Sequence, residues 1–191
     1  PVTTYEVTVT NAQFDSRPLP EGLRIAPITK KTFAARMEDA RLVLNDGFSQ
    51  NPMFVPLSAK EFNFQAGEMM TILDPRLSTV VLDGDRPVGV AICIPDLNGF
   101  LRATRSRLGL LTPLHFLWHR LTRNRAVIIF YSVAKDHHGQ GIMSAVVALT
   151  LNSLKTAGYR QLGITWIADE NAGSLRMMEK IGATQLHRLH L

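Results

Sequence analysis

The chain has 191 residues, 46% of them hydrophobic and 19% charged, with a formal net charge of +5. That length allows one large or two small domains, and that apolar content supports a sizeable core rather than a disordered chain. A single cysteine excludes an intrachain disulfide, and no apolar run reaches the ~20 residues of a membrane span. The positive charge suits an anionic partner, whether a coenzyme, a nucleic acid or a membrane surface.

Thr4 to Thr10 alternates Tyr5, Val7 and Val9 on one face and predicts a strand; no secretory signal is visible at Pro1 to Thr10. Arg17-Pro18-Leu19-Pro20-Glu21-Gly22 is a turn-rich linker. Residues 1–20 are therefore set apart as strand and linker, compatible with the end of an upstream domain, and 21–191 form the main domain. Leu23 to Ile28 is a short strand. Phe33, Met37, Ala40 and Leu44 make one helical face that Phe48 continues, and Asn51-Pro52 breaks it. Ser58 to Leu73 is a second helix, with Phe62, Met69, Ile72 and Leu73 inward, stopped by Asp74-Pro75. Ser78 to Leu82 and Pro87 to Ile94 form a hairpin around Asp83-Gly84-Asp85. Cys93 lies in this apolar run and reads as a small buried hydrophobe, consistent with a reducing cytoplasm.

Pro95-Asp96-Leu97-Asn98 ends the hairpin. Gly99 to Asn124 is both basic and apolar, with Arg102, Arg105, Arg107, Arg120 and Arg123 among leucines, Phe116 and Trp118. Two readings stand: a helical insertion that lays arginine stems over its own core, or a lid or surface in peripheral contact with lipid headgroups. The stretch lacks a nucleic-acid recognition motif, so no nucleic-acid partner is expected.

Ala126 to Val133 reads as a buried strand and Ser144 to Ala157 as a buried helix. Between them lies Ala134-Lys135-Asp136-His137-His138-Gly139-Gln140-Gly141-Ile142-Met143. A strand entering a helix through two close glycines builds an anion site, because the first helical N–H groups have no partner in the helix and lie at the positive end of its dipole. Gln161 to Ile167 is another strand. Asn171 then caps a short helix with Leu175, Met178 and Ile181 as its apolar stripe, and Gly182 suits the C-terminus.

Val133, His138, Gly141 and Met143 fall on the positions of Val-x-x-x-x-[Gln/Arg]-x-x-Gly-x-[Gly/Ala], and Asn171 to Ala183 follows the pattern of an Asn-started helix ending in Lys-x-Gly-[Phe/Ala]. This order resembles the GNAT superfamily of N-acetyltransferases, with residue-level support from Val133 to Ala183 and element order from Leu23 to Leu191. The 99–124 insertion is similar to that of a bacterial subgroup, which often carries another domain upstream. The resemblance implies an α/β (α+β) fold, a mixed, mostly antiparallel twisted sheet flanked by helices. It implies acetyl-CoA or another acyl-CoA as co-substrate, no metal, and a small-molecule or peptide amine as acceptor. Coenzyme contacts would come from Ser132, Val133, His138, Gly139, Gln140, Gly141, Ile142, Met143 and Asn171, with pantetheine in the opened sheet and the Val133 N–H polarising the thioester.

The family's thiolate-protonating Tyr falls at Met178, which has no proton to give. Candidates for acid and base are Tyr131 and Ser132, which alternation places on opposite faces, and Glu170, with Asp169 beside it. Two functions follow: an acyl-CoA-dependent N-acyltransferase, or a catalytically weak acyl-CoA-binding module serving another domain. His137 is expected exposed on the loop, and His187 and His190 on the surface of a terminal strand. Adjacent His137-His138 without a second cluster argues against a metal site, and the lack of a Gly-x-Ser-x-Gly elbow against a serine hydrolase.

Overall fold

The computed structural model describes residues 1–10, 18–49, 54–107 and 109–190. Among these, the strands are β1 Val2–Thr8, β2 Leu23–Ala26, β3 Thr79–Asp83, β4 Arg86–Pro95, β5 Arg125–Val133, β6 Gln161–Ala168 and β7 Thr184–Leu189. The helices are α1 Phe33–Gly47, α2 Ala59–Ile72, α3 Asn98–Thr104, α4 Thr112–Thr122, α5 Ile142–Thr156 and α6 Ala172–Lys180. The strands form one sheet in the order β2-β3-β4-β5-β6-β1-β7. Every neighbouring pair is antiparallel except β5 with β6.

The apolar pattern decides the layers. One face buries Val7, Ile128, Leu162 and Ile164 against Val147, Leu151 and Leu154 of α5 and Met178 of α6. The other face buries Val80, Leu82, Val90 and Ile92 against Met37, Val43 and Leu44 of α1 and Phe62 of α2. The central strands are therefore covered on both sides, which is why they read as continuous apolar runs rather than alternating ones. Cys93 is fully buried among apolar side chains, and burial pushes its thiol far up. The Ser58 hydroxyl accepts from the Glu61 N–H and starts α2.

Several boundaries differ from the sequence expectation. β1 runs Val2–Thr8 rather than Thr4 to Thr10, because its partner β6 supplies a ladder only from Ala168 back to Gln161. The division at residue 20 does not coincide with a layer of the fold: β1 lies inside the sheet, with Tyr5 opposite Ile164 on one side and Gln185 on the other. Helix α5 starts at Ile142 rather than Ser144, because Gly141, at φ +83°, is itself the cap residue. The expected helix break at Asn51-Pro52 lies outside the described residues; α1 ends earlier, at Gly47.

Candidate active site

Strands β5 and β6 pair in parallel from Arg125↔Gln161 to Ile128↔Ile164 and then part, although β5 continues to Val133 and β6 to Ala168. Both strands are irregular at the fork. Against β4, Ile92 pairs with Phe130 and Cys93 with Ile128, so Ile129 is an extra residue on β5. Against β1, Tyr5 pairs with Ile164 and Thr3 with Ile167, so Thr4 faces both Thr165 and Trp166. Trp166 takes φ +47°, a strained value for an aromatic residue. An extra residue bends a strand and sharpens its twist, and two such bends at one rung drive the strands apart. The Thr165 hydroxyl donates to the Ile128 carbonyl at 3.1 Å, satisfying an acceptor at the end of the ladder.

Hydrogen-bond phase fixes what faces the gap. The Ala134 N–H donates to Val88 O at 2.9 Å, so Val133 and its partner Gly89 form a non-hydrogen-bonded pair. The N–H and C=O of Val133 therefore point away from β4, into the opening, and so do those of Tyr131 two residues earlier. His138 donates from Nε2 to the Val133 carbonyl at 2.9 Å, which leaves the Val133 N–H as the group directed into the gap. The His138 ring is thus folded back onto the strand. Ser132 faces the other way, buried, with its hydroxyl 3.5 Å from Val43 O on α1. This rung is held close to α1 by Gly47: a Cβ there would lie 2.1 Å from Ser132 Oγ and 2.8 Å from Val133 O.

After the fork comes the glycine loop. Gly139 and Gly141 have φ +79° and +83°, with open space where a Cβ would point. No side chain caps α5, and the amides of Ile142, Met143 and Ser144 precede the Ala145 N–H to Gly141 O bond of 3.1 Å. These amides have no acceptor within the helix. Ile142 is buried and anchors the helix start, while His138, Gly139 and Gln140 are exposed. The loop is tied from behind. Arg86 donates to both oxygens of Asp136, at 2.5 and 3.1 Å, and the Lys135 N–H donates to Asp46 at 2.8 Å. His137, expected exposed, has only 12% of its side chain accessible, with Nδ1 2.8 Å from Asp136 and Nε2 3.3 Å from Asp83. Arg86 and then His137 hold the Asp136 carboxyl down at about 2, and Asp136 above all raises His137.

Across the gap, Asn171 accepts from the Ser174 N–H at 3.1 Å and starts α6 as the cap. Met178 is buried in the core. Tyr131 is half-buried on the α5–α6 face; its hydroxyl is enclosed beside Ser174 without a hydrogen bond, and burial pushes its pKa up. Glu170 is exposed, and Asp169 pairs with Arg188 at 2.5 Å. His187 and His190 are exposed.

On the opposite face of the sheet lies a groove of about 420 Å³, floored by Val127, Gly163 and Thr165 and walled by Pro95 to Asn98. It meets the fork at Ile164 and Thr165. Arg125 crosses it, bonded to Glu6 at 2.7 Å and to Asp96. Its guanidinium lies close over residue 163, where a Cβ would come within 2.8 Å of Arg125 Nη2 and push it aside. Arg125, Gly163 and Gly47 escaped the sequence reading; a lone glycine in an apolar strand is the one available signal of close approach.

A mixed sheet that parts beside a glycine turn and an uncapped helix is an architecture this chain shares with solved acetyltransferases. The chain belongs to the acetyltransferase (GNAT) family, whose sequence profile matches residues 48–183. Among curated relatives it is 23% identical over 170 residues to Protein YghO of Escherichia coli, covering 86% of this chain and 44% of that one. It is 22% identical over 175 residues to a bacterial ceramide synthase of Caulobacter vibrioides, covering 88% and 45%. The chain thus spans less than half the length of these two relatives. Among solved structures, a GCN5-related N-acetyltransferase from Sphaerobacter thermophilus superposes with a TM-score of 0.66 at 14% identity, over 97% of this chain and 48% of that one. The aminoglycoside acetyltransferase AAC(6')-Iy, bound to a bisubstrate analogue of coenzyme A, superposes with 0.56 at 13% identity, over 88% and 95%.

Proposed function

We propose that this chain is an acyl-CoA-dependent N-acyltransferase in which an amine attacks the thioester directly, with acetyl-CoA the simplest donor. The observation that carries this reading is the fork: β5 and β6 part after Ile128 and Ile164, and the Val133 N–H points into the space they leave. In this reading the diphosphate takes the amides of Gly139 to Met143, the pantetheine arm pairs with the Tyr131 and Val133 backbone, and the side-chain amide of Asn171 contacts the coenzyme. The Val133 N–H is placed to stabilise the thioester oxygen as negative charge develops on it.

The amine loses a proton and the sulfur gains one as the C–S bond breaks. Tyr131 is the group we assign to the sulfur: its phenol, ordinarily near 10 and pushed up further by burial, carries its proton at neutral pH and has one to give. Glu170, exposed at the start of α6, is the candidate to take the amine proton through water. The acceptor approaches from the groove over Val127 and Thr165, which adjoins the fork.

Acetyl-CoA and longer acyl-CoAs, incubated with small-molecule amines, peptide N-termini and long-chain amines, test the reading by release of free thiol. Long-chain amines belong in the panel because one relative is a ceramide synthase. Turnover that falls about 100-fold in Tyr131→Phe at unchanged coenzyme affinity supports the assigned acid; no turnover with any pair overturns the enzymatic reading. A second reading, an acyl-CoA-binding module, is favoured by the buried thioether of Met178 where the family places a phenol. It is distinguished by calorimetric coenzyme binding without transfer.

A further inference from the structure

Residues 98–124 leave an apolar face in solvent. Helices α3 and α4 pack together through Phe100, whose ring meets Phe116 edge-on at 5.5 Å and His119 at 6.2 Å. His119 also donates from Nε2 to Asp96 O at 2.7 Å. Those contacts use one side of α4. The other side carries Leu114, Leu117, Trp118 and Leu121, at the i, i+3, i+4, i+7 spacing that ordinarily marks a helix's buried stripe. All four are exposed, from 54% at Leu117 to 74% at Leu121, and Leu110 and Leu111 extend the patch beyond the helix start.

The charges around this stripe have one sign. No Asp or Glu occurs between Asn98 and Arg125. Arg102, Arg105, Arg107 and Arg120 are exposed, and among the described residues none of them has a carboxylate partner. A second copy of the chain is a poor cover, because a two-fold contact would set these arginines against one another with no acid between them. A surface of phosphate groups over hydrocarbon complements both features at once: leucines and Trp118 enter the acyl boundary, and guanidinium groups hold phosphates at the headgroup level.

We propose that the α3–α4 hairpin is an interfacial anchor that seats this chain on an anionic lipid bilayer. The hairpin begins at Asn98, on the wall of the groove, so docking would hold the groove's mouth beside the membrane. The anchor stands apart from the acyl-transfer reading, and its test needs no turnover.

The chain is mixed with vesicles of phosphatidylcholine alone or with phosphatidylglycerol, and flotation is measured. The proposal expects flotation with the anionic vesicles, weakened by high salt, and a blue shift of Trp118 emission in a Trp166→Phe background. Leu117→Ser with Leu121→Ser, and separately Arg102→Gln with Arg105→Gln and Arg107→Gln, should each lower partitioning by about tenfold or more. These side chains face solvent, and an unchanged melting temperature shows that the variants remain folded. No flotation overturns the proposal. So does flotation indifferent to both variants, or a dimer that the leucine variant dissociates while vesicles bind nothing.

Discussion

Two solvent-facing segments of this chain are built in opposite ways. The glycine loop shows backbone outward and is pinned behind by Asp46, Asp83, Asp136 and Arg86, with Ile142 buried at its end. The 98–124 hairpin shows apolar side chains outward and is fixed at its ends, through Asp96 and through the Arg123–Asp74 pair. The loop's fixed amides suit a ligand that reads geometry. The hairpin offers area and charge, which suit a partner without fixed shape. The loop should therefore fail when its conformation or backing charges change, whereas the hairpin should lose its fold when its base is cut and only its partner when its outer face is altered.

The largest effect is expected at the hairpin's base. Asp74 is 4% exposed and accepts from Arg76 at 2.7 and 2.9 Å and from Arg123 at 2.8 Å. Asp74→Asn leaves the Arg123 guanidinium without its charge partner and should cost about 3 kcal/mol in a denaturant titration. Burial pushes the Asp74 carboxyl up, but the bonds from Arg76 and then the charges of Arg76 and Arg123 outweigh it, and the net pKa is lowered. Its contribution is therefore present above the unfolded value, about 3.9, and is lost as pH falls through the lower folded value. A cost near zero would mean that the hairpin is held elsewhere.

Next comes the loop. Gly141→Asp puts a side chain at φ +83° and a carboxylate beside the assigned diphosphate site. Coenzyme A affinity measured by calorimetry should drop about 100-fold, near 2.7 kcal/mol; unchanged affinity would remove the loop from the site. Gly47→Ala is third, at about 1–3 kcal/mol of stability. A second change, Ser132→Ala, should recover only part of it, because the Val133 carbonyl at 2.8 Å is backbone and cannot turn away. Full recovery would show that the backbone yields.

The smallest expected effect is at His137. Its pKa is raised, first by Asp136 and then by Asp83, so its contribution is complete below the unfolded value of about 6.5 and fades as pH rises through the folded value. Asp136, held at about 2, keeps its contribution above about 3.9 and loses it only in strong acid. The melting temperature should fall slightly from about pH 6 to 9, and His137→Gln should flatten that slope. An equal slope in both proteins would assign it to other groups.

The strand, glycine turn, helix and Asn cap were legible in the residues because each is a local pattern: two glycines before an apolar helix, and Asn171 three residues before the Ser174 amide it accepts. What opens the sheet was not. Ile129 is one apolar residue among others in a strand buried on both faces, and nothing in its type marks it as the extra one. Trp166 reads as an ordinary strand residue but takes a left-handed conformation at the rung where Thr4 opposes two positions. His137 was read from its neighbours as exposed; Asp83, which encloses it, is 54 residues away. Tyr131 and Ser132 did fall on opposite faces, since alternation survives past the irregular rung.

The first strand has a consequence for how the molecule is made. β1 lies between β6 and β7, so residues 2–8 find their partners only in residues 161–189. Residues 161–189 must have left the ribosome before these three of the seven strands can close, and contacts of such long sequence separation are slow to form. Until then Val7 and Val9 have no β6 to pack beside, and both edges of β1 are open to foreign strands. Refolding from denaturant should accordingly show its slowest phase in probes placed on β1 and β7, with the β3–β4 hairpin complete long before.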